Sequence, residues 1–138
     1  VGSRWAVWGS PTTRVTIVTT GVMVHTALAV ATMLRARGVG VAVLDVFRLK
    51  PFPADTVIGV ARNAPLVVTL DEHFLAGGLG SIVLEILSDA DICVPTLRIG
   101  VPDRYTFELG GRQAIHELYG LTPEAVVQRI TKWIEGRQ

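Results

Sequence analysis

The side chains best suited to chemistry stand together in one stretch, Asp71, Glu72 and His73, followed by Ala76, Gly77, Gly78, Leu79, Gly80 and Ser81. Two carboxylates and an imidazole precede a run of backbone N–H groups at the start of a helical pattern, an arrangement that can hold an anion. No Lys follows the glycines, which excludes a Walker loop. The pair Gly78–x–Gly80 lacks the third glycine of a dinucleotide fingerprint, Val83 standing in its place. A plainer reading competes: glycines let two backbones approach closely, and acidic residues are favourable near a helix N-terminus in any case. The stretch 71–81 is therefore a candidate interface or anion-binding loop, with Asp71, Glu72, His73, Gly77, Gly78, Gly80 and Ser81 as its candidate residues.

A catalytic His73 would need a nucleophile or a substrate within hydrogen-bond reach, and sequence order supplies neither. No residue is assigned a catalytic, cofactor-binding or metal-binding role. Asp103 and Arg104, after Pro102, read as a turn with a local ion pair and are secondary candidates for touching a partner or ligand. His25 and His116 read as ordinary, partly exposed residues, and Cys93, beside Val94 and Pro95, as an inert apolar filler.

The elements that must position these residues alternate in texture. Strands are expected at 15–18 (VTIV), 41–46 (VAVLDV), 66–70 (LVVTL) and 96–101 (TLRIGV), all near-continuously apolar, as strands covered on both faces are. A helix is expected over 22–37, with Val24, Ala27, Leu28, Ala31 and Leu34 on one stripe and Gly38 as its stop. Others are expected at about 54–63, from within 78–81 to about 88, over 112–118, and from 122–124 to 135. In the last, Thr122 is the N-cap, Pro123 takes the first helical position, and Val126, Val127, Ile130, Trp133 and Ile134 form the buried face. Strands alternating with such helices imply right-handed crossovers and a mostly parallel sheet clad on both faces. Ligands gather at the carboxyl ends of such strands, and the end of the third is the richest in polar residues and glycine.

A length of 138 residues accommodates one domain and one core. A single cysteine and three scattered histidines exclude a disulfide framework and multi-cysteine zinc or iron–sulfur patterns. Lys and Arg number 13 against 12 Asp and Glu, without a basic run, so neither nucleic acid nor an anionic membrane is the expected partner. The longest apolar stretch, around 22–34, carries His25, Thr26 and Thr32, and falls short of the roughly 20 residues of a spanning helix. With no signal peptide either, a cytoplasmic location is expected. Residues 1–13, rich in Gly, Ser and Thr, read as a linker, a tag remnant or the tail of a preceding segment, and residues 14–138 as the domain. Hydrophobic residues make up 49% of the chain and charged residues only 18%, against about 25% in a typical soluble domain, so apolar surface is expected to be hidden against a partner.

Taken in order, GVMVH (21–25), VLDVFRLKPF (43–52), LVVTLDEHFLAGGLGS (66–81), RIGVPDRY (98–105) and LYGLTPE (118–124) resemble the C-terminal domain of transketolase-type thiamine-diphosphate enzymes. Relatives sharing it include transketolase itself, among them forms split into two chains, 1-deoxyxylulose-5-phosphate synthase, and the β subunit of 2-oxo-acid dehydrogenases. The resemblance implies a three-layer α/β/α sandwich whose mixed sheet of about five strands is largely parallel, with one strand antiparallel. It also implies that thiamine diphosphate and Mg²⁺ belong to the complete enzyme and none to this chain. The Gly-Asp-Gly opening and paired asparagines of the family's cofactor motif have no counterpart here. The implied partners are the pyrimidine- and diphosphate-binding domains, in a dimer that this domain supports while the complete enzyme moves a ketol unit between sugar phosphates. Two other roles stay open, a free-standing regulatory module holding an anion at 77–81 and an autonomous hydrolase or transferase using Asp71, Glu72 and His73. Phe52–Pro53, where the family often has an aliphatic residue and then Asp, leaves the substrate open.

Overall fold

The computed structural model describes residues 7–8, 12–107 and 110–137. Residues 1–6 and 9–11 of the stretch expected as a linker lie outside them. Four strands run parallel: β2 (Val15–Thr19), β3 (Val41–Asp45), β4 (Val67–Phe74) and β5 (Thr96–Val101), while the two-residue β1 (Val7–Trp8) lies antiparallel on β3. The sheet order is β1-β3-β2-β4-β5. The antiparallel part of the mixed sheet is thus two residue pairs long, Val7 opposite Leu44 and Trp8 opposite Val43.

Side chains alternate across the pleat, and both faces are covered. Val15, Ile17, Val41, Val43, Val68 and Leu70 pack against α1 (Met23–Ala36) and α5 (Pro123–Glu135). Val18, Leu44 and Val67 pack on the other side against α2 (Ala54–Ala61) and α3 (Leu79–Asp89). This two-sided burial is why the strands read as unbroken apolar runs. On α1 the buried stripe is Met23, Ala27, Val30, Ala31 and Leu34. Leu28, expected on that stripe, is exposed, because the sheet-facing row advances through Val30. On α5, Trp133 and Ile134, expected on the buried face, are only partly buried at the margin of the core. Thr122 does cap α5, its hydroxyl accepting the Ala125 N–H at 3.3 Å.

The connection from β2 to β3 moves one way across the sheet, and the connections from β3 to β4 and from β4 to β5 move the other way. The reversal leaves a crevice between the carboxyl ends of β2 and β4, the position where open α/β sheets receive ligands and partners.

Candidate functional site

The crevice at this reversal point has a volume of about 330 Å³, and Thr20, Leu49, Asp71, His73, Phe74 and Gly78 are among the residues lining it. Its floor is tied down by two threonines. Thr19 Oγ1 donates to the Leu70 carbonyl at 2.9 Å, and Thr20 Oγ1 donates to that of Val46 at 2.6 Å. β4 runs on through Asp71, Glu72, His73 and Phe74, residues expected in a loop. An irregularity between Leu70 and Phe74 re-aims the strand, yet Phe74 still pairs with Val101 and the Leu75 N–H reaches the Val101 carbonyl at 2.8 Å.

Asp71 is buried, and both of its carboxylate oxygens accept backbone N–H groups. Oδ2 accepts that of Leu79 at 2.9 Å, and Oδ1 accepts that of His73 in a short hydrogen bond. Gly78, the residue at the α3 N-cap, has no side chain to cap with, and Asp71, eight residues before Leu79, supplies the missing oxygen. The positive end of α3 therefore already carries a carboxylate.

The glycines follow from this closeness. A Cβ on Gly78 would sit 2.3 Å from the Phe74 carbonyl oxygen, and one on Gly80 would sit 2.7 Å from Thr69 Oγ1 and 2.9 Å from Arg98 Nε. Gly77 takes φ +72°, a conformation that side-chain-bearing residues rarely adopt. Ser81 Oγ closes the loop, donating to the Leu75 carbonyl at 3.0 Å and accepting the Gly77 N–H at 3.0 Å. Arg98, reaching across from β5, donates to the same Leu75 carbonyl and lies 3.4 Å from Ser81 Oγ. The sequence pattern gives no sign of this role for Arg98, which reads as one polar residue in an apolar strand.

Glu72 turns away toward α4 (Arg112–Leu118). Its Oε2 lies 3.0 Å from Arg112 Nε and 3.2 Å from His116 Nε2. His116 is thus the partner of a candidate residue 44 positions away, which local spacing does not reveal. The two carboxylates are committed to backbone N–H groups and to α4, so neither is directed at the exposed His73 ring on the crevice wall. Asp103 and Arg104 are exposed. The local ion pair expected between them is not among the ion pairs of the described residues. The Arg104 guanidinium instead lies 5.1 Å from the centroid of the Tyr119 ring, a cation–π contact, and Asp103 joins Phe74 and Tyr105 in lining a second crevice of about 300 Å³. Cys93 is exposed rather than packed.

An apolar rim runs around the carboxyl edge. Of the nine large hydrophobic side chains exposed among the described residues, six stand at or beyond the carboxyl ends of strands: Val22, Phe47, Leu49, Phe74, Tyr105 and Phe107. Tyr105 and Phe107 are 89% and 85% exposed, with ring centroids 6.2 Å apart. Phe74 lines both crevices and so links Leu49 to Tyr105 across the edge.

Among the described residues no group of three or more His, Cys, Asp or Glu side chains is placed to hold a metal ion. With the α3 N-terminus taken by Asp71, the described residues do not fit a diphosphate–metal group. No helix of the described residues is long and apolar enough to cross a membrane.

The family model described as "Transketolase, C-terminal domain" matches residues 6–126. The 1-deoxy-D-xylulose-5-phosphate synthase of Gloeobacter violaceus is 40% identical over 114 residues, 83% of this chain and 18% of that protein. The synthase of Prochlorococcus marinus strain MIT 9303 is 41% identical over the same shares. Among solved structures, a chain titled "Split gene transketolase, inactive beta4 tetramer" superposes with a TM-score of 0.82 at 40% identity, covering 94% of this chain and 41% of that one. The chain spans about a fifth of the length of the curated relatives it matches. With the sandwich, the 71–81 loop and this match in agreement, the chain belongs to the transketolase C-terminal domain family.

Proposed function

We propose that this chain is the C-terminal, assembly-supporting section of a thiamine-diphosphate-dependent enzyme of the transketolase type, and that its carboxyl edge seats against the catalytic domains. The observation that carries this reading is the rim of Phe47, Leu49, Phe74, Tyr105 and Phe107. Isolated exposed apolar residues are normal, but aromatic side chains gathered at one edge, around two crevices, are the composition of an interface core. The loop 71–81 has the matching part. Asp71, Ser81 and Arg98 freeze it, so that Phe74 and His73 meet a partner without further ordering cost. In the complete enzyme the pyrimidine- and diphosphate-binding domains hold thiamine diphosphate and Mg²⁺, which supply the ketol-transfer chemistry. This section would support the dimer, in the cytoplasm.

The likeness to a split-gene transketolase supports ketol transfer between sugar phosphates as the reaction. The curated relatives favour a second reading, formation of 1-deoxy-D-xylulose 5-phosphate. The test exchanges this chain for the C-terminal section of the Gloeobacter violaceus synthase and assays both reactions with thiamine diphosphate and Mg²⁺. An assembled, active chimera is expected, with the isolated chain inert; turnover by the isolated chain would overturn the reading.

A further inference from the structure

The free edge of the sheet offers a second surface, remote from the carboxyl rim. β5 is the last strand in the order, so among the described residues one side of it has no strand neighbour. The Val67 N–H donates to the Pro95 carbonyl at 2.9 Å and the Leu75 N–H to that of Val101, which places the odd-numbered backbone groups toward β4. Those of Thr96, Arg98 and Gly100 therefore face outward. Consistent with this, the Arg98 carbonyl accepts a hydrogen bond from Arg129 Nη2 of α5, at 3.3 Å.

Beside this edge, Leu97, Arg129, Lys132, Trp133, Gly136 and Arg137 line a groove of about 540 Å³. Its floor is the apolar pair Leu97 and Trp133, at the margin of the core, and its wall carries three cations and, among the described residues, no carboxylate. Arg137 lies 4.3 Å from the centroid of the Trp133 ring. The ion pairs of the described residues involve none of these three cations. Three of 13 basic residues thus converge on one groove in a chain of net charge +1.

Edge strands are templates for another strand, and charge decides which one. Two copies of this chain joined β5 to β5 would bring two sets of these cations together, and like charges across a strand pair repel. An extended segment carrying carboxylates meets the opposite situation. We infer that the groove between the free edge of β5 and α5 docks an extended acidic segment, which pairs with the outward backbone groups of Thr96, Arg98 and Gly100 while its carboxylates meet Arg129, Lys132 and Arg137. Side chains of a strand alternate between its two faces, so the carboxylates would stand at every second position, toward α5, with β-branched residues between them to favour the extended form. The inference stands on the edge and the cations alone and does not depend on the assembly reading above.

The test titrates the 138-residue chain into a fluorescein-labelled peptide of alternating glutamate and valine, with a lysine–valine peptide as control. Saturable binding of the acidic peptide alone is expected. It should weaken at high salt and fall at least about tenfold in the variant Arg129→Gln/Lys132→Gln/Arg137→Gln, at an unchanged melting temperature. Hydrogen exchange should slow at Thr96, Arg98 and Gly100 in the complex. Equal binding of both peptides, undiminished binding by the triple variant, or binding without protection of those three amides would overturn the proposal. So would inorganic phosphate competing for the groove as well as the acidic peptide does, since that would make it a simple anion site.

Discussion

Asp71 in β4 and Leu79 at the start of α3 are joined by a hydrogen bond of 2.9 Å from the Leu79 N–H to Oδ2, so the residue that caps the helix is not the one that precedes it. The other oxygen holds the His73 N–H. One buried carboxylate thereby fixes both ends of the turn between strand and helix, and the whole 71–81 stretch hangs from it.

Replacing Asp71 by Ala leaves two backbone donors without their acceptor in a buried place, at a cost of about 1–3 kcal/mol. Asp71→Asn keeps one acceptor oxygen but turns an NH₂ toward an N–H, and is expected to be almost as damaging. Urea unfolding of both variants measures this; an Asn variant as stable as the parent would show that the carboxylate does not hold the turn.

The three glycines of the turn should respond in a definite order. Gly78→Ala pushes a Cβ to 2.3 Å from a backbone carbonyl and should be the worst. Gly77→Ala meets nothing within 4 Å and costs only the strain of its positive φ, roughly 1–2 kcal/mol. Gly80→Ala displaces the Arg98 side chain and falls in the range of about 1–3 kcal/mol typical of overpacking. Thermal unfolding of the three single variants gives the ranking, and a Gly77 variant less stable than the Gly78 variant would contradict it.

Most of the scaffold was legible because its signals are local. The strand at 96–101 and the helix at 112–118 occupy the residues their patterns predict, and Thr122 caps α5 as its type and place imply. What was not legible depends on distant partners. Asp and Glu are poor strand formers, yet residues 71–74 extend β4 because Phe74 pairs with Val101 on the far side of a bulge. Val7 and Trp8, in a stretch that reads as a linker, find their partners on β3. At the candidate site, Asp71 and the glycines were legible as a group, but the commitments of Glu72 to Arg112 and His116, and of Arg98 to the Leu75 carbonyl, are visible only once the chain is folded.

Burial raises the Asp45 carboxyl above its ordinary value of 3.8, and its Oδ1 is buried without a hydrogen-bond partner. The folded chain then holds that proton more tightly than the unfolded chain does, so this group favours folding in acid and the benefit is lost as pH rises through the raised value. Asp45→Asn should therefore raise the melting temperature at neutral pH, with the gain shrinking as pH falls toward 3.8 and below. A gain that grows on acidification would have the wrong sign.

The Glu72 pairs tie α4 to the strand but are partly exposed, so Glu72→Gln should cost only about 0.2–1 kcal/mol in global stability. Its effect should be local, faster hydrogen exchange in residues 112–118 and unchanged exchange in β2 and β4. Loosening of the central strands would mean that the pair supports the core.

Co-elution shows whether the apolar rim is the assembly surface. The chain is co-expressed with a Gloeobacter violaceus synthase truncated before its matching C-terminal section, and the parent is compared with the Phe74→Asp/Phe107→Asp variant. The parent is predicted to elute as a complex with the truncated enzyme, and the variant, folded by circular dichroism, as a separate species. A variant that assembles as well as the parent would contradict the account, because the rim would then not be the surface that holds the enzyme together.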